Sequence, residues 1–142
     1  MTGHHRTSHP NRHMNKLLLS IMTMLACSLS SCGQQNFKTV DADEFEKAIS
    51  ADSVQLVDVR TSAEFCEAHI ASDKVVNIDA LQPDFANEAV KKLDKRRSVA
   101  VYCRSGRRSA DAAKKLSELG YDVIDLKGGI LEWQKRGKPT TR

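Results

Sequence analysis

Cys103 and the cationic residues that follow it are the part of the sequence best suited to chemistry. Cys103 follows an apolar run at 98–102 and opens a polar segment that carries three arginines. This segment consists of Arg104, Ser105, Gly106, Arg107, Arg108 and Ser109. Thiolate is the nucleophilic form of cysteine, and nearby positive charge favours it. Because a buried structural cysteine gains nothing from cationic neighbours, we predict that Cys103 is a nucleophile.

The polar segment after Cys103 predicts a loop that binds an anionic substrate. Ligands of open α/β sheets bind beyond the carboxyl ends of the strands, where loop N–H groups and the positive end of the next helix converge. Gly106 lets the loop turn tightly because it has no Cβ, and Ser109 is the expected N-cap of the helix. Arg104, Arg107 and Arg108 are candidates for attracting the anion, and we expect only one or two of them to point at the site.

Short apolar runs alternate with helical patterns elsewhere in the chain. This order is typical of an α/β domain in which helices cover both faces of an open, mostly parallel sheet. Five strands are predicted, at 37–40, 54–59, 75–78, 98–102 and 123–126. The loop of Cys103 therefore lies between a central strand and the helix that follows it.

Capping residues and apolar periodicity place the helices. Asp41 is predicted to cap the first helix, with Glu44 as its capping-box partner, and Ser62 is predicted to cap the second. Residues 85–93 form a third helical pattern. Gly120 is expected to end the helix that begins after the loop of Cys103.

The residues up to Cys32 differ in composition from the rest of the chain. Three of the 22 basic residues, none of the 18 acidic residues and all four methionines precede Cys32. The remainder is therefore close to neutral, and its charge gives no support for a nucleic-acid partner. We interpret the chain as an N-terminal extension and leader at 1–32, a tether at 33–36 and one domain at 37–137.

The leader has the features of an export signal. Lys16 precedes an apolar run at 17–29 that is too short to span a membrane as a helix. The residues Leu29-Ser30-Ser31-Cys32-Gly33 resemble a bacterial lipobox, in which the cysteine is acylated and becomes the new N-terminus. We expect the protein to be exported and held on a bacterial cell-envelope membrane by lipid on Cys32, with its domain on the periplasmic side. The alternatives are a cleaved secretory signal without lipid or a buried helix, and Met14 is a second candidate for the true start.

Four segments together resemble the rhodanese domain family over about 37–135. They are Leu56-Val57-Asp58-Val59-Arg60, Glu64-Phe65 with His69-Ile70, Val101 to Ser109, and Leu126 with Gly128-Gly129 and Trp133. The third segment, which contains Cys103, is the most specific. One departure is Ala68, where the family usually has glycine. Another is Cys66, for which we expect a small helix residue facing the core, the alternative being a partner thiol for Cys103.

The resemblance implies a three-layer α/β fold and sulfurtransferase chemistry through a persulfide on Cys103. A small anionic sulfur donor such as thiosulfate would transfer its outer sulfur to Cys103. A thiophilic acceptor, either cyanide, a small thiol or a protein thiol, would then remove it. Asp58 and Arg60 are expected to support the loop, and His69 is expected to be structural. No cofactor and no metal ion are expected.

Three other functions are compatible with parts of the pattern. A phosphatase or arsenate reductase of related fold needs arginine after five intervening residues, to bind phosphate through two hydrogen bonds, whereas this chain has Ser109 there. A second alternative is a non-catalytic domain of the same fold that serves docking or sensing. The third is a thiol redox protein that uses Cys103 and Cys66. Because the cysteine and its loop are intact, we predict the sulfurtransferase.

Overall fold

The computed structural model describes residues 37–142, so the leader, the tether and Cys32 lie outside the described residues. Its strands are β1 (Phe37–Val40), β2 (Val54–Asp58), β3 (His69–Ile70), β4 (Val76–Asn77), β5 (Ser98–Tyr102), β6 (Val123–Leu126) and β7 (Thr140–Thr141). Its helices are α1 (Ala42–Ile49), α2 (Ser62–Glu67), α3 (Phe85–Lys92), α4 (Arg107–Glu118) and α5 (Gly129–Lys135). Within this part of the chain, no helix combines the length and apolar character needed to cross a membrane.

Five strands form one sheet in the order β1-β6-β5-β2-β4, and every neighbouring pair is parallel. The predicted fold class, an open parallel sheet within an α/β domain, is therefore confirmed. β5 occupies the centre of the sheet. Residues 99–102 are all buried, which is the continuous apolar pattern of a strand covered on both faces. The chain therefore leaves the middle of the sheet at Cys103.

Helices cover both faces of the sheet and divide the core into two parts. On one face, Phe85 of α3 and Leu116 of α4 pack with Val99 and Val101. On the other face, Phe45 of α1 and Trp133 of α5 pack with Ala100 and Tyr102. The successive side chains of β5 thus point alternately into the two cores. This three-layer arrangement fixes β5 from both sides and, with it, the starting point of the loop of Cys103.

Helix capping agrees with the sequence for α1 and differs for α2. The side chain of Asp41 accepts hydrogen bonds from the N–H groups of Asp43 and Glu44, so Asp41 is the N-cap of α1 as predicted. The Glu44 side chain, however, accepts from Lys38 instead of completing a capping box.

The prediction that Ser62 caps α2 was wrong. The N-cap is Thr61, whose hydroxyl accepts from the N–H of Glu64 while the Glu64 side chain accepts from the N–H of Thr61. This reciprocal pair needs threonine and glutamate three residues apart, a spacing that Thr61 has and Ser62 lacks. The cap places Glu64 one turn into α2, close to the loop of Cys103.

Residues at the end of the chain form a second, smaller sheet that was not predicted. β7 pairs antiparallel with β3, with Ile70 opposite Thr140. Trp133 donates its indole N–H to the carbonyl of Pro139 at 2.9 Å, and the Lys138 ammonium pairs with Asp43 of α1 at 2.8 Å. Packed structure therefore continues beyond residue 137.

Candidate active site

Cys103 lies directly after the central strand, with its side chain almost completely enclosed. It is 1% exposed. The backbone N–H of Gly106 donates a hydrogen bond to the Cys103 Sγ at 3.1 Å. A sulfur that accepts from a backbone amide is stabilised in its anionic form. The Cys103 sulfur is therefore buried at the end of the central strand with a backbone N–H directed at it.

Two carbonyl groups of the loop are fixed by the start of α5. The N–H of Ile130 donates to the Cys103 carbonyl at 2.8 Å, and that of Leu131 donates to the Arg104 carbonyl at 3.2 Å. In a trans peptide the C=O and the following N–H point in opposite directions, and no peptide bond described here is cis. The N–H groups of Arg104 and Ser105 therefore point away from α5, where they are free to bind a ligand.

A close backbone contact requires glycine at position 129. A Cβ on Gly129 would lie 2.5 Å from the carbonyl oxygens of both Cys103 and Arg104, and the φ of Gly129 is +62°. Gly106 on the loop is in turn packed against the backbone of Gly128. The Gly-Gly segment therefore forms one wall of the Cys103 loop, a role that its position in the sequence did not reveal.

Gly106, not Ser109, is the N-cap of α4, so the predicted capping role of Ser109 was wrong. Gly106 has a φ of +100°, and no side chain caps the helix. Ser109 lies within the first turn, where its hydroxyl donates to the Gly106 carbonyl at 3.2 Å. The turn needs a left-handed residue, and glycine adopts that conformation without steric cost. Because no side chain caps the helix, its first N–H groups remain free for an anion.

The three arginines of the loop have different environments. Arg108 donates two hydrogen bonds to the Glu64 carboxylate, both at 2.7 Å, and the two side chains are about one-quarter exposed. The bond from Arg108 and the cap of Thr61 lower the pKa of Glu64 to about 2. Arg104 and Arg107 are exposed. Neither of these two forms an ion pair with any other residue in 37–142, so both are available to an incoming anion.

Asp58 and Arg60 form a buried pair that supports the strand end beside Cys103. The Arg60 guanidinium donates to the Asp58 carboxylate at 2.6 Å and to the carbonyl of Ala68 at the same distance. It also lies over the ring of Tyr102, 5.7 Å from its centroid. The Val59 N–H donates to the Tyr102 carbonyl at 3.0 Å. This pair therefore contacts the residue that immediately precedes Cys103.

Tyr102 and His69 also hold the surroundings of the loop together. The Tyr102 hydroxyl accepts from the N–H of Ile70 at 3.1 Å, and burial raises its pKa well above the ordinary value. The His69 ring stacks on Phe65 with centroids 4.1 Å apart, and its Nδ1 lies 3.0 Å from the carbonyl of Phe65. These contacts fit a structural role for His69.

The prediction that Cys66 faces the core was wrong. Cys66 is exposed on α2, a helix none of whose residues is buried, and both Cys66 and Cys103 are free thiols. The helix is short and amphipathic periodicity is weak over six residues, so the sequence did not determine which side faces inward. Within residues 37–142, no group of three or more His, Cys, Asp or Glu side chains could hold a metal ion.

Comparison with known proteins places this chain in a family. The family described as Rhodanese-like domain matches residues 41–136. A sulfurtransferase of Allochromatium vinosum is 35% identical over 70% of this chain and 91% of its own length. The thiosulfate sulfurtransferase GlpE of Shewanella oneidensis is 33% identical over 70% of this chain and 95% of its own length. The crystal structure of a rhodanese-related protein from Thermoplasma volcanium matches with a TM-score of 0.63 and 31% identity, covering 73% of this chain and 97% of that one. From its matched residues, its parallel sheet and the position of Cys103, the chain belongs to the rhodanese-like domain family.

Proposed function

We propose that this protein is a sulfurtransferase that carries a sulfane sulfur from thiosulfate, or a related anionic donor, on Cys103. The main support for the proposal is the hydrogen bond from the Gly106 N–H to the Cys103 Sγ. The N–H groups of Arg104 and Ser105, which point away from α5, are further donors on the same loop. The names of the relatives from Allochromatium vinosum and Shewanella oneidensis support the same reaction class.

The first half-reaction forms the persulfide. The Cys103 thiolate attacks the outer sulfur of thiosulfate, a new S–S bond forms, and the bond between the two donor sulfurs breaks. The electron pair of that bond leaves with sulfite. The terminal sulfur of the persulfide then carries negative charge, which the free N–H groups of the loop and the start of α4 would stabilise without reorganising.

The second half-reaction returns Cys103 to the thiolate. A thiophilic acceptor attacks the terminal sulfur, and the electron pair of the persulfide bond returns to Cys103. Cyanide would give thiocyanate, and a small thiol or a protein thiol would give a new persulfide. No general base is needed if the nucleophile is already ionised, and this agrees with the structural contacts of His69.

Arg104 and Arg107 are proposed to attract the donor. Both are exposed and adjoin the loop, whereas Arg108 is bound to Glu64. The first turn of α4 contains no acidic residue, so the charge at this helix end is positive. Positive charge around a site raises the local concentration and the association rate of an anion.

Thiocyanate production from thiosulfate and cyanide tests the proposed reaction. The wild type is expected to produce thiocyanate, Cys103→Ser is expected to be inactive, and Cys66→Ser is expected to match the wild type. Activity that survives in Cys103→Ser would contradict the assignment of the nucleophile. Loss of activity in Cys66→Ser would instead favour a two-thiol mechanism.

We further propose that the protein is exported and held on a cell-envelope membrane by lipid on Cys32. The support is the sequence of the leader, with Lys16, an apolar run at 17–29 and the lipobox-like residues before Cys32. Two or more acyl chains anchor a protein stably, whereas one binds only marginally. The four residues at 33–36 would span at most about 14 Å, so the domain would act close to the bilayer.

Metabolic labelling tests this anchoring. Radiolabelled fatty acid is expected to enter the wild type, and Cys32→Ala is expected to lose both the label and membrane association. Cys27→Ala is the matched control because Cys27 also lies in the leader. A Cys32→Ala protein that remains membrane-bound would contradict the proposal.

A further inference from the structure

Two large apolar side chains are exposed at the edge of the sheet where Cys103 lies. Among residues 37–142, the exposed large hydrophobic side chains are Leu81 (63% exposed), Val90 (49%) and Leu131 (43%). Leu81 follows the end of β4, and Leu131 lies in the first turn of α5, which follows β6. Because the carboxyl ends of parallel strands meet at one edge, both leucines share that edge with Cys103. Val90 lies near the far end of α3, the helix that leads away from it.

Leu131 adjoins the loop of Cys103 directly. Its N–H donates to the Arg104 carbonyl at 3.2 Å. The residue before it, Ile130, is buried and donates to the Cys103 carbonyl at 2.8 Å. The Leu131 backbone is therefore fixed against the loop while its side chain remains exposed.

Leu81 lies on the other side of β5, two strands away. The N–H of Ala80 donates to the Val59 carbonyl at 3.0 Å, and the N–H of Val59 donates to the Tyr102 carbonyl at 3.0 Å. Neighbouring strands are about 4.8 Å apart, so Ala80 lies about 10 Å from Tyr102 across the edge of the sheet. Since Leu131 lies one strand away in the opposite direction, the two leucines bound a face about 15 Å wide.

Cations without a partner lie on the same edge of the sheet. Arg104 and Arg107 are exposed, and so is Lys127, which directly follows β6. None of these three forms an ion pair with another residue in 37–142. Asp79, two residues before Leu81, has its carboxylate accepting from the Leu81 N–H at 2.9 Å. We call the surface formed by the two leucines and the three cations the docking face.

The docking face is larger than a small sulfur donor or acceptor can cover. Thiosulfate needs only the loop N–H groups and nearby positive charge, and cyanide has no apolar surface to place on either leucine. Exposed apolar side chains rimmed by polar residues are typical of a protein interaction site. A lipid bilayer covering both leucines would also cover Cys103, which lies between them, and would exclude an acceptor from the sulfur.

We propose that the sulfur acceptor is a protein, which binds the docking face through apolar and acidic residues around a reactive cysteine. This proposal rests on the proposed sulfur transfer and names the acceptor class for its second half-reaction. The acceptor thiolate, its proton lost to solvent, attacks the terminal sulfur of the Cys103 persulfide. A new S–S bond forms on the acceptor, the persulfide bond on Cys103 breaks, and its electron pair returns to the Cys103 sulfur.

Synthetic peptides with a single cysteine serve as acceptors in the test. The first peptide surrounds its cysteine with leucine and glutamate, and the second has lysine in place of every glutamate. The measured quantity is kcat/KM for a peptide divided by kcat/KM for cyanide, so that an effect of a variant on both acceptors cancels. Lysine lowers the pKa of a neighbouring thiol, so thiol reactivity alone would favour the second peptide.

Three variants of the chain beginning at Gly33 are compared, because the described residues lie within one compact unit. Leu81→Ser and Leu131→Ser each remove one apolar side chain from the docking face. Val90→Ser is the matched control, since it removes an apolar side chain of similar exposure away from that face. The wild type is expected to prefer the glutamate peptide. Each leucine variant should lower the ratio for that peptide about three- to tenfold, and Val90→Ser should keep the wild-type ratio.

Two results would overturn the proposal. One is a ratio that is the same in the wild type, Leu81→Ser and Leu131→Ser, and the other is a preference for the lysine peptide. Sedimentation with phosphatidylglycerol vesicles and light scattering identify the other possible occupants. If the leucine variants keep the wild-type ratio but lose vesicle binding or dimer formation, the docking face belongs to lipid or to a second copy of the chain.

A second measurement separates failure of docking from failure of sulfur transfer. Fluorescence anisotropy of the glutamate peptide with serine in place of cysteine reports binding without any sulfur donor. Leu81→Ser and Leu131→Ser should each weaken this binding about three- to tenfold, and Val90→Ser should not. A wild type that binds this peptide through both leucines but never forms thiocyanate would refute the sulfur transfer and support the docking face.

Discussion

Gly129 and Cys103 are in direct backbone contact. A Cβ at position 129 would lie 2.5 Å from the Cys103 carbonyl oxygen, and the next residue, Ile130, donates its N–H to that same oxygen at 2.8 Å. The start of α5 therefore packs directly against the loop of Cys103, although Cys103 and Gly129 are 26 positions apart in the sequence. Any side chain at 129 must displace the loop.

Gly129→Ala is therefore expected to lower activity as well as stability. The alanine Cβ would clash with backbone rather than with a flexible side chain, so the loop has to move, and a displacement of about 1 Å costs on the order of a hundredfold in rate. Thiosulfate turnover and thermal unfolding measure the two effects.

Gly120→Ala is the control for Gly129→Ala. Gly120 also has a positive φ, +91°, but a Cβ there meets nothing within 4 Å. It should lose about 1–2 kcal/mol of stability from backbone strain and keep wild-type turnover below its melting temperature. Equal activity in the two variants would contradict the proposed contact with the loop.

Neutralising one member of the buried pair of Asp58 and Arg60 is expected to destabilise the protein strongly. Asp58→Asn leaves the Arg60 guanidinium, 5% exposed, without its counter-charge, and breaking a buried pair in this way costs about 3–5 kcal/mol. Urea unfolding should show this loss, whereas Glu44→Gln, which breaks an exposed pair with Lys38, should cost at most about 1 kcal/mol. Similar losses of unfolding free energy in Asp58→Asn and Glu44→Gln would show that burial does not increase the cost of breaking the Asp58 pair.

The pair of Glu64 and Arg108 is expected to make stability depend on pH in the acid range. The pKa of Glu64 in the folded protein is lowered from 4.5 to about 2, so its contribution is present above pH 4.5 and is lost as the pH falls toward 2. Glu64→Gln should therefore be less stable than the wild type at pH 7 by about 1 kcal/mol. This difference should shrink at pH 3.

Glu67→Gln on the same helix is the control for that measurement. Glu67 is exposed and forms no ion pair within the described part of the chain, so its variant should match the wild type at both values of pH. A difference between Glu64→Gln and the wild type that is the same at pH 7 and pH 3 would contradict the role assigned to the Arg108 bond.

The exposed arginines are expected to govern the capture of the donor. Arg104→Gln and Arg107→Gln should each lower kcat/KM for thiosulfate about three- to tenfold and weaken its dependence on salt. Arg96→Gln is the control because Arg96 is exposed but pairs with Asp94 away from the loop. If all three variants behave alike, the two loop arginines do not attract the anion.

Most strands of the central sheet could be predicted because apolar and β-branched residues are concentrated in short segments bounded by polar or turn residues. β1, β5 and β6 have the predicted limits, and β5 leads directly into Cys103. The predicted strand at 75–78 was longer than the observed β4, which has two paired residues. β3 and β7 could not be predicted, since each has two residues and exists only through pairing with the other.

The sequence predicted the loop of Cys103 but not the contacts that position it. Glu64 and Arg108 are 44 residues apart, and nothing in either segment indicates that they meet. The strand at 123–126 was recognisable, yet the register in which it pairs with β5 was not. Thr61 is different, since the spacing of threonine and glutamate in its capping box was visible in the sequence.

Formation of a persulfide on Cys103 is the central claim, and intact mass tests it most directly. The described residues 37–142 all lie within one compact unit, so a chain beginning at Gly33 is suitable, reduced beforehand to free both thiols. Thiosulfate should add one sulfur, about 32 Da, that cyanide removes and that Cys103→Ser never acquires, as covalent catalysis requires. A fully reduced wild type that gains no mass from thiosulfate or any other sulfane donor would contradict the account.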